Sequence, residues 1–142
     1  MEKEIVMWQT NAILAMLSMS LMILAIKKLT LQHVPPTSIL FFAFALSAIF
    51  NLAHSLITRA ALHLSGQSLI WIISVAVFSY LGNWLSVKSV AIAPNPGYTM
   101  GIIGCSSLVI LIGALIFFDA EISPVKGAGI LLCIAGVIFI SV

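Results

Sequence analysis

The chain has 142 residues, of which 62% are hydrophobic and only 7% are charged, and its formal net charge is +2. Its mean hydropathy is +1.24. Because a soluble domain carries about 25% charged residues, this composition excludes a soluble globular domain and predicts a protein that spans a membrane.

Five apolar stretches are each long enough to cross a bilayer, since a hydrocarbon core about 30 Å thick needs roughly 20 helical residues. The first four contain no Asp, Glu, Lys or Arg, and the fifth contains only Lys126, next to its start; a charge at mid-bilayer costs about 2.5–3.5 kcal/mol. Continuous apolar runs of this length predict helices rather than the strands of a barrel. The expected fold is therefore an all-α, single transmembrane domain with spans at about 7–26, 38–57, 68–87, 98–118 and 125–142.

Short polar connections separate the spans. The first, Lys27 to Pro36, ends in two prolines, and proline tolerates a helix start but not a helix interior. The second runs from Arg59 to Gln67, and the third, Pro94 to Gly97, predicts a tight turn. The last ends in Ser123-Pro124, which suits the N-cap and first position of the fifth helix.

The positive charges that set membrane orientation are evenly divided. Five spans place the two termini on opposite sides, and each side then receives three basic residues: Lys3, Arg59 and Lys126 on one, Lys27, Lys28 and Lys88 on the other. This tie gives no positive-inside preference. Either the chain has few charges and assembly factors decide its orientation, or it inserts both ways and pairs antiparallel with itself.

The first two spans carry a few polar candidates for a solute path. In the first span, Asn11 and Ser18 lie on one helical line. Near the end of the second span, Asn51 and His54 are three residues apart. Histidine is the side chain whose unperturbed charge change falls near neutral pH, so His54 is either a proton-coupling group or an interfacial histidine at a helix end.

The third span has the clearest polar face. Tyr80, Asn83 and Trp84 lie at i, i+3 and i+4, so they point in similar directions. An Asn amide facing lipid would leave donors unsatisfied, so this face is expected to look into the bundle or a wet cavity. Aromatic rings beside an amide suit a neutral or amphipathic organic solute. The alternative is contact between helices or, for Trp84, an anchor at the membrane interface.

The fourth span adds Tyr98 near its start and Ser106 in its middle. Ser106 either faces a pathway or returns its hydroxyl to the carbonyl of Ile102, as serine in membrane helices often does. The two cysteines, Cys105 and Cys133, lie within spans four and five and are expected to be small packing residues rather than a disulfide or metal pair.

An ordered set of motifs runs through the second half of the chain. They are Tyr80-Leu81-Gly82-Asn83-Trp84, Ser89-Val90-Ala91-Ile92-Ala93-Pro94, Tyr98-Thr99, Phe118-Asp119-Ala120-Glu121-Ile122-Ser123, Gly127-Ala128-Gly129-Ile130 and Ala135-Gly136-Val137. In order and spacing they resemble the C-terminal part of the EamA-type repeat of the drug/metabolite transporter superfamily. Length and span count match one five-helix repeat over essentially the whole chain, although spans one and two match only in hydrophobicity and spacing.

This resemblance implies that the chain is half of a transporter. Full-length members of that superfamily usually carry two such repeats in opposite orientation, and smaller relatives with one repeat work as pairs. The fifth span also resembles the Gly-x6-Gly pairing face of small multidrug resistance proteins, because Gly129 and Gly136 share a face with Cys133 between them. These small residues serve either a dimer interface or packing against span three or four.

One departure bears on the solute. Small multidrug exchangers of organic cations use a carboxylate in their first span, whereas the span from Ile5 to Ile26 has none. A neutral or zwitterionic solute is therefore favoured over a lipophilic cation. No catalytic set, cofactor motif or metal-ligand cluster is visible in the sequence, so the chain is expected to be no enzyme and to need neither metal nor cofactor.

Together these features predict a multi-pass transporter of a small drug or metabolite in the cytoplasmic (inner) membrane of a prokaryote. It would work by alternating access as an antiparallel, dual-topology homodimer. The predicted path residues are Tyr80, Asn83, Trp84, Asn11, Ser18, Tyr98 and Ser106. The alternative is a non-transporting or heteromeric membrane subunit of fixed orientation, such as half of a lipid flippase or a regulatory partner.

Overall fold

A computed structural model describes residues 2–60, 65–118 and 123–141, and these form helices without any strand. The helices are α1 (Glu2–Leu31), α2 (Pro36–Thr58), α3 (Gly66–Ile92), α4 (Pro96–Gly104), α5 (Ser106–Phe118) and α6 (Pro124–Ser141). Within these residues, four stretches are long and apolar enough to span a membrane, and a fifth apolar helix is shorter: Met7–Leu31, Pro36–Thr58, Ser68–Ile92, Pro96–Phe118 and Gly127–Phe139. The expected all-α membrane fold is confirmed.

Two helices run further than the apolar spans predicted. α1 continues past Lys27 and Lys28 to Leu31, and α3 continues past Lys88 to Ile92. Lysine favours the last turn of a helix because the terminal carbonyls carry partial negative charge. Its long apolar stem also lets the ammonium reach the interface from a position near the membrane. The lysines that follow the apolar spans therefore do not mark where α1 and α3 end.

Helix α1 ends in a Schellman motif centred on His33. His33 is left-handed with φ 61°, its N–H donates to the carbonyl of Thr30 (3.1 Å), and the next N–H, of Val34, donates to Leu29 (3.2 Å). This pair of bonds satisfies carbonyls that the helix end would otherwise leave open. The same arrangement closes α2 at Arg59, which has φ 51°.

The fourth apolar stretch is divided in the middle at Cys105. The Cys105 N–H donates to the carbonyl of Ile102 (3.1 Å), and the N–H of Leu108 donates to the carbonyl of Cys105 (3.0 Å). These bonds span three residues instead of four, which tightens the turn and separates α4 from α5. The predicted span 98–118 is therefore two helices in sequence rather than one regular helix.

Helix α4 starts where the proline-rich turn predicted. Asn95 is its N-cap, with its side-chain oxygen accepting from the N–H of Gly97 at 2.8 Å, and Pro96 holds the first helical position. A Cβ on residue 97 would lie 3.1 Å from that same oxygen. Glycine therefore gives the capping side chain the room it needs to approach the backbone.

The chain divides into two units, Met1–Ile92 and Ala93–Val142. In the first unit, α3 contacts both α1 and α2, and in the second, α4 contacts α6. The core of the first unit consists of Ile39, Leu40 and Val87, with Ile26, Val34 and Trp84 packed against it. Val34 lies in the connection between α1 and α2, and the others come from the C-terminal parts of α1 and α3 and the N-terminal end of α2. One end of the first unit is thus firmly packed.

Most of the remaining apolar surface is open. Large side chains such as Trp71 and Phe78 are each 71% exposed. A soluble protein rarely leaves contiguous apolar surface of this extent. These helix faces therefore require a covering of lipid or protein, as expected for a membrane protein.

Candidate functional site

An open hollow of about 550 Å³ lies between α2 and α3. Four aromatic side chains, Phe41, Phe44, Tyr80 and Trp84, line it, while Thr37 contributes a hydroxyl. Leu40 and Ala45 complete the lining. We call this the aromatic hollow. Its size and its largely apolar wall with a few polar groups are typical of small-molecule sites.

A second hollow of about 450 Å³ lies among α1, α2 and α3. Its polar lining consists of Ser38, Ser47 and Asn83. The rest of the lining is apolar and includes Met22, Ile26 and Leu29 of α1. We call it the serine hollow. It shares Leu40 and Phe44 with the aromatic hollow, so these two residues of α2 border both spaces.

The three candidate residues of α3 divide between the two hollows. Tyr80 and Trp84 line the aromatic hollow, and Asn83 lines the serine hollow. The Asn83 amide donates to the carbonyl of Ser79, four residues earlier, at 2.8 Å. One amide donor is thus satisfied within the helix, while the side chain still borders a cavity. Whether solute passes these residues stays a prediction.

Lysine side chains are concentrated at the packed end of the first unit. The half-buried Lys27 donates from Nζ to the carbonyls of Val90 (3.0 Å) and Ala91 (3.4 Å) at the end of α3. Lys88 lies with its Nζ 4.3 Å from the ring centroid of Trp84, a cation–π geometry. The ammonium of Lys27 therefore contacts the negative C-terminal end of α3, and the ammonium of Lys88 contacts Trp84 in the wall of the aromatic hollow.

Many polar side chains in the apolar helices return a hydrogen bond to their own helix. Ser18 donates to the carbonyl of Leu14 at 2.9 Å, and Asn51 donates to that of Ser47 at 2.8 Å. Further such bonds, over three or four residues, come from Ser20, Thr30, Ser55, Thr58 and Ser74. Ser107 of α5 similarly donates to the carbonyl of Gly104 at the end of α4. A donor satisfied in this way can face lipid at low cost.

The other predicted path residues lie in different places. Asn11 and Ser18 are exposed on α1, nearer its N-terminus than Met22, which lines the serine hollow. Tyr98 is 48% exposed on α4, and Ser106 is exposed at the start of α5. Both belong to the second unit, whereas the two hollows are formed by the first. Their part in the path stays a prediction.

His54 is exposed near the C-terminal end of α2, and its backbone carbonyl accepts from the hydroxyl of Thr58 at 2.8 Å. A part in proton coupling stays a prediction for this residue. His63 and the acidic pair Asp119 and Glu121, which belong to the sequence motifs above, lie outside the described residues.

Helix α6 presents two glycines with open space beside them. A Cβ built on Gly129 or Gly136 would meet no heavy atom of the described chain within 4 Å. These positions are therefore not where α6 packs tightly against its neighbours in the described part of the chain. The helix position of Cys133 is described but its side chain is not.

Sequence reasoning missed several residues of the site. Thr37, Phe41 and Phe44 lie on α2 at i, i+4 and i+7, a spacing that places them on one face. That stripe was visible in the sequence but is common on helices that face lipid. Lys27 was counted only as a charge that orients the chain, because its contact with the end of α3 joins residues 63 positions apart.

Long apolar helices joined by short connections define a multi-pass membrane protein. The model of the EamA-like transporter family matches residues 6–142, so the chain belongs to that family. The match extends through spans one and two, where the motifs gave no signal. Comparison with curated proteins and with solved structures gives no match.

Proposed function

We propose that the chain is one half of a small-molecule transporter and works by alternating access as an antiparallel, dual-topology homodimer in a prokaryotic cytoplasmic membrane. The observation that carries this proposal is the aromatic hollow, which is open rather than enclosed although it has the size of a solute site. A second subunit could close such a space. Many transporters bind solute between two inverted repeats near the bilayer midplane.

The charge balance supports insertion in both orientations. Residues 5–118 contain four basic residues, Lys27, Lys28, Arg59 and Lys88, and no acidic residue. With five spans, Arg59 faces the opposite side from the three lysines. Because Lys3 and Lys126 add to the side of Arg59, the totals are equal and neither orientation is preferred.

The open face of α6 supports pairing of two chains. Small residues allow helix backbones to approach closely in lipid, where no hydrophobic effect drives association. The space beside Gly129 and Gly136 favours an intermolecular role over packing within the chain. In the proposed dimer this face meets its equivalent on the second subunit.

The solute is expected to be small, organic, and neutral or zwitterionic. No carboxylate lies between residues 5 and 118 to hold a lipophilic cation. Tyr80 and Trp84 on one side of α2, and Asn83 on the other, would contact the solute, with Asn11, Ser18, Tyr98 and Ser106 further along the path. Rocking of one subunit against the other would expose the site to each side in turn.

Reporter fusions at the C-terminus test the dual topology. Paired fusions to a reporter active only inside the cell and one active only outside should both give signal. Lys28→Gln and Arg59→Gln form a matched pair, since both side chains are exposed. Each variant removes one positive charge, and the two charges lie on opposite sides of the membrane. We expect the two variants to shift the signal ratio in opposite directions, because each breaks the three-to-three tie toward a different side.

Signal from one compartment only, with both variants unchanged, would contradict dual insertion. That result would favour the alternative of a fixed-orientation subunit that requires a different partner chain. The transporter-like membrane fold would be unaffected, because it follows from the family and the helices rather than from the orientation.

A further inference from the structure

A lysine contacts one of the aromatic residues that line the aromatic hollow. Tyr80, Trp84 and Lys88 lie on α3 at i, i+4 and i+8, so they follow one another along one helix face. The Lys88 ammonium lies 4.3 Å from the centroid of the Trp84 ring, and Trp84 lines the hollow. A solute in the hollow would therefore have aromatic and aliphatic groups around it and one ammonium beyond its end.

Within the described residues of the first unit, no carboxylate lies close enough to neutralise this positive charge. The only acidic residues before position 119 are Glu2 and Glu4, at the start of α1. The end of α1 lies against the end of α3 through Lys27, so about 23 helical residues, roughly 35 Å at 1.5 Å each, separate Glu4 from the lysine end. An ion pair over that distance is screened out, since the Debye length is about 8 Å.

The ammonium of Lys88 on Trp84 makes a cation a poor occupant of the hollow. An aromatic cluster alone attracts cations through the faces of its rings, but here Lys88 already lies over Trp84, and a second positive charge would be repelled. A negative group, in contrast, could reach the ammonium while its apolar part remains among Phe41 and Phe44. The hydroxyl of Thr37 also lines the space and can donate to an anion.

We propose that the aromatic hollow binds an amphipathic carboxylate, with its apolar or aromatic body against Tyr80 and Trp84 and its carboxylate at Lys88. The proposal rests on the proposed function in taking this hollow as the solute site. It narrows the expected solute class: a zwitterion satisfies the proposal when its carboxylate is the group at Lys88, whereas a solute without a carboxylate does not. The same chemistry occurs in a water-soluble aromatic acid and in a membrane fatty acid, and the experiment distinguishes these two sources.

The test uses Trp84 as its own reporter. The chain has three tryptophans, and the other two, Trp8 and Trp71, are 54% and 71% exposed. Trp8→Phe and Trp71→Phe together leave Trp84 as the only indole. The full-length protein, in nanodiscs of phosphatidylcholine, is titrated with 3-phenylpropionate, with its uncharged amide and with 3-phenylpropylammonium, while Trp84 emission is followed.

The acid is expected to change Trp84 emission at concentrations where the amide and the ammonium do not. Lys88→Gln should weaken binding of the acid by about fivefold, the effect of a single exposed charge pair of about 1 kcal/mol. The same substitution should leave the amide unaffected. Lys28→Gln is the matched control, since this exposed lysine lies on α1 and should bind the acid like the parent protein. Displacement of 3-phenylpropionate by oleate indicates a membrane source, and no displacement indicates a water-soluble acid.

Equal binding of acid and amide, or equal binding by the Lys88→Gln and parent proteins, would overturn the carboxylate proposal and leave the transporter proposal standing. Absence of any Trp84 response to all three compounds would overturn the assignment of this hollow as a ligand site. The dual-topology proposal is judged separately, by the reporter fusions, so the two failures are distinguishable.

Discussion

Replacing Lys27 by methionine tests how strongly the ends of α1 and α3 are held together. The Nζ of Lys27 lies 3.0 Å from the carbonyl oxygen of Val90 and 3.4 Å from that of Ala91. These carbonyls belong to the last turn of α3, where a helix leaves its acceptors without intrahelical donors. Methionine keeps an unbranched apolar side chain but removes the ammonium, so the packing changes little and the hydrogen bonds are lost.

Three magnitudes bound the expected loss of stability. A hydrogen bond to a charged group contributes about 1.5–3 kcal/mol in soluble proteins. A cation at a helix C-terminus contributes about 0.3–1 kcal/mol, and polar contacts between membrane helices average about 0.6 kcal/mol. Because Lys27 is only half-buried, solvent screening reduces its contribution. We expect Lys27→Met to lower the free energy of unfolding by about 1 kcal/mol.

The assay is reversible unfolding in mixed micelles with increasing sodium dodecyl sulfate, followed by far-ultraviolet circular dichroism. Lys28→Met is the matched control, because it makes the same chemical change at the neighbouring position, where the side chain is exposed. The reasoning predicts a lower midpoint for Lys27→Met than for Lys28→Met. Indistinguishable midpoints, or a more stable Lys27→Met protein, would show that the ammonium does not stabilise the junction.

Two further predictions concern the dimer face and the hollow. Gly129→Ala and Gly136→Ala should leave the folded monomer as stable as before, or up to about 1 kcal/mol more stable, since alanine favours helix. Both variants should nevertheless weaken the dimer, which is measured as a loss of energy transfer between labelled chains on dilution in lipid. Gly113→Ala is the control, because it too adds a methyl in open space; equal loss in all three variants would refute a specific face. Tyr80→Ala should lower uptake of labelled 3-phenylpropionate into proteoliposomes about tenfold, as for loss of a central aromatic contact. The exposed Trp71→Ala should transport normally, and normal uptake in both would remove Tyr80 from the path.

Local signals in the sequence were enough to place the helices. Apolar length indicated the spans, and Pro35-Pro36 and the turn at Pro94 to Gly97 indicated where α2 and α4 begin to within about two residues. The helix ends were harder to predict. His33 and Arg59 take up left-handed conformations that glycine usually fills, and neither residue type signals such a cap.

The division of span four also escaped prediction. Gly101 and Gly104 precede Cys105 in the sequence, but the whole stretch is apolar and its composition suits a continuous helix. Whether a backbone N–H bonds three or four residues back depends on small changes of angle within the helical region. Composition does not resolve that difference.

Helical geometry explains why the three residues of the predicted polar face line two different hollows. Successive residues of an α-helix turn by about 100°, so Trp84 lies only about 40° from Tyr80 around the helix, while Asn83 lies about 60° away in the other direction. The spacing correctly placed the two aromatic residues together. It could not show that Asn83 would line a different hollow, because the hollows are also formed by residues far away in sequence, such as Leu40 and Phe44, which line both.

The packing of the first unit suggests how one end could remain fixed while the other moves. Ile39, Leu40 and Val87 pack together at the end where Lys27 meets α3, whereas residues 7–22 of α1 and 41–54 of α2 are exposed. Few buried contacts mean a low cost of local separation. Polar side chains such as Ser18 and Asn51 bond within their own helices, so these helices can shift without losing those bonds. The aromatic hollow begins beside the packed end, at Thr37 and Trp84, so we expect this part of its wall to keep its shape while the opposite helix ends separate.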